Sequence, residues 1–148
     1  MSFSIRIAES PDWQPVRQLL REAGLPSADL DETRMDDFLL AESPDGDLLG
    51  AIGIESYGRS ALLRSLVISP GARQSGLGRA LVERLSAVAA ASGTREIWLL
   101  TVDAAAFFER LGFEARRRDD VPAPIRGTEE FSSLCPADAT VMYRIIAG

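Results

Sequence analysis

Residues 3–8, Phe-Ser-Ile-Arg-Ile-Ala, alternate apolar and polar side chains with the period of a half-buried strand. Ser10-Pro11-Asp12 then offers a helix start, Val16, Leu19, Leu20 and Ala23 form a helical stripe, and Gly24 ends it. Residues 29–37 carry little apolar content beyond Leu30 and Met35; they predict a short helix polar enough for a lid and not a core element. Residues 38–42 and 48–54 read as two strands of a hairpin closed by Ser43-Pro44-Asp45-Gly46-Asp47, with Gly50 and Gly53 marking bulges or close approach. A turn at 57–59 leads to a central strand at 61–68, and Leu77, Leu81, Leu85 and Val88 then recur at helical spacing as far as Ser92-Gly93. The run Ile97-Trp98-Leu99-Leu100-Thr101-Val102 is nearly continuous in apolar residues, as in a parallel strand covered on both faces, so 61–102 forms one βαβ unit. Asp103 is expected to cap a helix over 104–111 that Gly112 terminates. Strands follow at 113–117 and 140–146, separated by a Pro-rich loop over 119–138 with one short helix near 125–134.

This order predicts a single α/β domain over residues 1–148, with a mixed sheet of six or seven strands. Composition narrows the partners. A net charge of -6 and a pI near 4.7 argue against nucleic acid or an anionic membrane, either of which needs a broad basic face. The N-terminus has no apolar core of a signal peptide and no apolar run approaches a membrane span, which predicts a cytoplasmic protein. A single cysteine, Cys135, excludes an internal disulfide and reads as a small apolar residue before Pro136. The absence of histidine removes the commonest metal ligand and general base, and no metal is expected.

The chemistry gathers between the central strand and the following helix. Arg73 and Arg79 flank a loop whose Gly76 and Gly78 leave backbone amides unobstructed, and the first turn of a helix presents free N–H groups to an anion. A nucleotide-hydrolysing loop requires Lys and Ser or Thr after its last glycine; Leu77 and Gly78 stand there instead. The glycines at 71, 76 and 78 do not make a dinucleotide fingerprint either. What remains is Arg-x-x-Gly-x-Gly at 73–78, which resembles the coenzyme A pyrophosphate loop of the GNAT family of N-acetyltransferases. The segment Ala104-Ala105-Ala106-Phe107-Phe108-Glu109-Arg110-Leu111-Gly112-Phe113 resembles the family's second hallmark, an Ala-rich helix with an aromatic pair running into Leu-Gly-Phe. The tail, from Ile125 to Pro136 and then Met142, is similar to a GNAT subgroup found with arsenic-resistance genes and to the ends of short N-acetylglutamate synthases.

The resemblance implies an acyl-CoA N-acyltransferase fold with about four helices around the sheet. It also implies direct transfer of acetyl from acetyl-CoA to the amine of a small amino-acid-like acceptor, such as glutamate or an arsenical or phosphinate amino-acid toxin. It places the pyrophosphate on Arg73, Gln74, Ser75, Gly76, Leu77, Gly78 and Arg79 and the pantetheine along the backbone of Leu66, Val67 and Ile68. A backbone amide of Leu66 or Val67 would polarise the thioester. Phe108 stands at a cofactor-binding position where many members carry a proton-donating tyrosine, and Leu62 and Arg64 stand where many carry a base. Glu55 or Glu9 would then act as base through water, or be a surface carboxylate. Arg64 either clamps an acceptor carboxylate or pairs with an acid at a sheet surface. Arg126, Thr128, Glu129 and Phe131 either close over the acceptor or form a lid without contacts. Arg116-Arg117-Arg118 reads as a solvated strand end that reaches, at most, the CoA 3'-phosphate. A silent acyl-CoA-binding module and a protein N-acetyltransferase remain as alternatives, and the resemblance allows a homodimer, since family members often dimerise through late strands.

Overall fold

The N-terminal alternation becomes β1 (Ser4–Ile7), and the helical stripe becomes α1 (Trp13–Glu22), entered through a single tight turn at Ser10–Asp12. Next come β2 (Phe38–Glu42), β3 (Leu48–Tyr57), β4 (Ser60–Ile68), α2 (Leu77–Ala91) and β5 (Glu96–Thr101). The chain ends with α3 (Ala105–Arg110), β6 (Glu114–Arg116), α4 (Ala123–Arg126) and β7 (Thr140–Ile145). The computed structural model describes residues 2–134 and 136–146; Cys135 lies outside them. The sheet has seven strands in the order β1-β2-β3-β4-β5-β7-β6. The β4–β5 pair is parallel, as the βαβ reading requires, and the sheet is mixed. Two compact units divide the chain: Met1–Ile54 with Ser65–Leu85, and Glu55–Arg64 with Ser86–Gly148.

In the first unit β1, β2 and β3 form an antiparallel meander with a bulge between Ala41 and Glu42. Its core gathers Trp13, Val16 and Leu20 of α1 with Met35, Phe38, Leu40 and Val67. The two hairpin glycines answer to close approach. A Cβ on Gly53 would sit 2.6 Å from Cζ of its cross-strand neighbour Phe38, and one on Gly50 would sit 3.0 Å from the Val67 carbonyl oxygen. The polar segment 29–37 departs from its expected lid character. Its helical part is a 3-10 stretch, Glu32–Asp37, whose start is capped by the Asp31 carboxylate accepting from the Thr33 N–H at 2.9 Å. Leu30 and Met35 are buried in the core, so two apolar side chains suffice to anchor an otherwise polar segment.

In the second unit β4 pairs with β5 from Ser60↔Glu96 to Leu62↔Trp98, and β7 lies antiparallel to both β5 and β6. Its core is Leu62, Trp98, Val121, Ile125 and Val141, joined by Tyr57, Leu100, Phe131 and Tyr143. Asp103 does not cap α3. The Ala104 N–H is taken at 3.0 Å by the Thr101 hydroxyl, which the end of β5 delivers to the helix entrance. The helix expected near 125–134 is two pieces: α4 closes at Gly127, and Glu130–Leu134 forms a π-helical turn. β4 runs unbroken from Ser60 to Ile68, yet Ser65 within it sits at φ 59°, a left-handed conformation rare for a side-chain-bearing residue in a strand. Burial does not alternate here, because every residue from Ala61 to Ser65 is buried.

Candidate functional site

The segment after β4 has the backbone geometry expected of an anion loop. Ser69 and the tight turn Pro70–Ala72 stop the strand, and the Ser69 N–H donates to the Leu49 carbonyl at 2.8 Å. Ala72 and Leu77 are buried and pin the two ends of the loop, while Arg73 and Gln74 between them are exposed. Gln74 and Gly76 both take left-handed backbone conformations, φ 63° and 82°, and the Ser75 hydroxyl donates to the Ala72 carbonyl. Successive residues of alternating hand turn their N–H groups to one side, the geometry of an anion-binding concavity. α2 begins at once, with Gly78 in its first turn and Arg79 exposed, and contributes the unsatisfied amides and positive dipole end of a 15-residue helix. The flanking strand residues Leu66 and Ile68 are half-buried, whereas the Val67 side chain belongs to the core.

Phe108, on α3, is buried, and its ring meets Phe107 and Phe113 edge-on at 5.1 and 5.4 Å. It contributes shape and no exchangeable proton.

The second unit brings Arg64 and Glu55 together. Neither is a surface residue: Arg64 is 2% and Glu55 8% exposed. Arg64 Nη1 lies 2.9 Å from Glu55 Oε2, and the Tyr57 hydroxyl donates to Glu55 Oε1 at 2.7 Å. The expectation of an exposed carboxylate at 55, and of a surface ion pair for Arg64, is therefore corrected, because β3 and β4 carry both side chains to a buried face. Tyr57 was missed in the sequence. Its position two residues after Glu55 on one strand puts both side chains on the same face, which is the signal that would have found it. Glu9 is exposed at the end of β1.

The tail residues divide. Thr128 is buried and its hydroxyl serves the local turn, donating to the Ile125 carbonyl at 2.7 Å and accepting from the Phe131 N–H at 3.2 Å. Phe131 packs into the second core with the Arg118 guanidinium 5.0 Å from its ring centre, so it is a structural contact and not part of a contactless lid. Arg126 and Glu129 are exposed. Glu130, unremarked in the sequence, is only 5% exposed. The basic run is solvated at Arg117, whose side chain is 81% exposed, while Arg116 and Arg118 are partly engaged. Arg116 pairs with Glu114 at 2.6 Å and stacks over Tyr143 at 4.3 Å, Arg117 pairs with Asp119 at 3.3 Å, and Arg118 donates to the Pro136 carbonyl at 3.0 Å.

A family model described as Acetyltransferase (GNAT) domain matches residues 34–115, more than half of the chain. An uncharacterized N-acetyltransferase of Chlorobaculum tepidum is 33% identical over 90 residues, spanning 60% of this chain and 57% of that relative. Among solved structures, N-acetylglutamate synthase from Neisseria gonorrhoeae, complexed with coenzyme A and N-acetyl-glutamate, superposes with a TM-score of 0.85 at 23% identity. That match covers 99% of this chain and 35% of the synthase. Rv2747 from Mycobacterium tuberculosis, in complex with CoA, gives a TM-score of 0.81 at 22% identity over 96% of this chain and 98% of that one. PaiA N-acetyltransferase from Thermoplasma acidophilum, in complex with coenzyme A, gives 0.71 at 18% identity over 98% and 99%. These likenesses establish the fold, and the family match, which takes in the 73–79 loop and the aromatic helix, shows that the chain belongs to the GNAT acetyltransferase family.

Proposed function

We propose that the protein is an acetyl-CoA-dependent N-acetyltransferase acting on a small, amino-acid-like amine. The observation that carries this reading is the 73–79 loop: two exposed arginines, two left-handed residues and a long helix's free amides converge where a pyrophosphate fits. Acetyl-CoA supplies the acetyl thioester; the C–S bond is exchanged for a C–N bond at the acceptor amine, and the sulfur leaves as thiolate. The loop residues hold the phosphates, and a backbone N–H of Leu66 or Val67 stabilises the charge that develops on the thioester oxygen. Glu55 receives the proton shed by the ammonium. Phe108 cannot protonate the thiolate, so water does.

The acceptor reading rests on Arg64 and Glu55. A guanidinium and a carboxylate 2.9 Å apart are the mirror of an amino-acid zwitterion, whose carboxylate answers Arg64 and whose ammonium answers Glu55. Glutamate-like amino acids and amino-bearing arsenicals or phosphinates share that chemistry, and the synthase of like fold holds N-acetyl-glutamate. Phe108 favours a second reading, a silent CoA-binding module.

Calorimetric titration with acetyl-CoA should show one site, weakened at least about tenfold by Gly76→Asp or Gly78→Glu in variants whose circular dichroism is unchanged. Unaltered affinity in both overturns the loop assignment. Thiol release from acetyl-CoA across a panel of amino acids, arsenicals and phosphinates then separates the readings: binding without release with any acceptor identifies the silent module.

A further inference from the structure

A cleft of about 450 Å³ opens within the first unit, lined by Trp13, Arg17, Arg21, Ser27, Ala28 and Leu30. It shares no residue with the 73–79 loop or with the Arg64–Glu55 pair. Trp13, Arg17 and Arg21 follow one another at four-residue steps on α1, so they stack along one helix face. Trp13 and Leu30 are buried and give the cleft an apolar floor, while Arg17 and Arg21 are exposed at its mouth. Among the described residues neither guanidinium makes a side-chain hydrogen bond or ion pair. Arg6, in the same unit, is by contrast held by both Asp12 and Glu42. Acidic residues outnumber basic ones 22 to 16 in the chain, yet among the described residues no carboxylate lines this cleft. Two open guanidiniums one helical turn apart, over an indole and a leucine, suit a ligand with two negative charges on a short carbon body.

We propose that this cleft is a second ligand site, binding a small organic dianion, either a dicarboxylate or a phosphate monoester. Its oxyanions meet Arg17 and Arg21, its hydroxyl or ester oxygen meets Ser27, and its carbon chain lies on Trp13 and Leu30. The site is independent of the acceptor assigned above, since it uses none of the same residues.

Glutarate and glycerol 2-phosphate are titrated into the full chain by calorimetry, with glutaramide as the uncharged control, and the Trp13 indole N–H is followed by NMR. At least one dianion should saturate a single site and shift the Trp13 signal. The Arg17→Gln/Arg21→Gln variant should bind it at least tenfold more weakly while keeping acetyl-CoA affinity within about twofold. Which probe binds more tightly identifies carboxylate or phosphate as the natural head group. The proposal is overturned if neither dianion saturates, if glutaramide binds equally well, if the double variant retains the affinity, or if that variant loses acetyl-CoA to the same extent.

Discussion

Arg64 and Glu55 are an ion pair with side chains 1% and 8% exposed, and at that depth the desolvation of each charge is compensated by the other. Removing one partner strands the remaining charge, whereas removing both leaves a neutral site of similar volume. Arg64→Gln and Glu55→Gln are each expected to lower stability by about 3–5 kcal/mol, and the Arg64→Met/Glu55→Leu variant to regain most of it. Urea denaturation checks the stability side. The double variant also separates stability from function: it should fold, bind acetyl-CoA and release no thiol with any acceptor. Thiol release at the wild-type rate from that variant would remove both residues from the reaction. The family resemblance pointed to Arg64 as clamp and, separately, to Glu55 or Glu9 as base. Only the folded strands show that each already faces the other.

At the scale of elements, β3 has to pass close to the second half of β4, and Gly50 is the position that allows it. A methyl group there meets the Val67 carbonyl, a backbone atom with no rotamer to escape into, and the Leu81 side chain at 3.3 Å. Gly50→Ala should therefore cost about 1–3 kcal/mol by overpacking, read as a lowered urea midpoint. An unchanged midpoint would mean that β3 shifts freely against β4. The two glycines of β3 are visible in the sequence as a warning, but a bulge and a close approach leave the same mark there. The bulge proves to be one strand away, at Ala41 and Glu42. The left-handed Ser65 is harder still to foresee, because nothing about serine between arginine and leucine distinguishes it from an ordinary strand residue.

For the molecule as a whole, all 16 basic residues are arginine, whose charge persists through the accessible pH range, and there is no histidine, so the acid response of stability falls on the carboxylates. Stability should fall in acid. Asp12 illustrates the sign. Its hydrogen bonds from Arg6, at 2.8 Å, hold its carboxyl below the usual carboxylate range, with the Glu9 N–H adding to the effect. A carboxyl depressed in the folded state contributes its full stability above its unfolded pKa, near 4, and loses it as pH falls through the lower folded value. Asp12→Asn should therefore shrink the drop in urea midpoint between pH 5 and 2.5. A drop as steep as the wild type's would exclude Asp12 as a contributor.

Three features are legible in the amino-acid sequence alone: the order of strands and helices, the parallel βαβ unit and the turn from strand to helix through 73–79. All three are written in short-range patterns: periods of two and 3.6, a strand stop at Ser69-Pro70, and glycines at a helix entrance. Tertiary structure alone decided which polar groups lose their water. It buried Arg64 beside Glu55, turned the Thr128 hydroxyl inward to its own turn, drew the polar 29–37 segment into the core by Leu30 and Met35, and opened an acid-free cleft beside α1. Burial depends on which distant segments come to lie against a residue, and the spacing of neighbours along a chain does not contain that information.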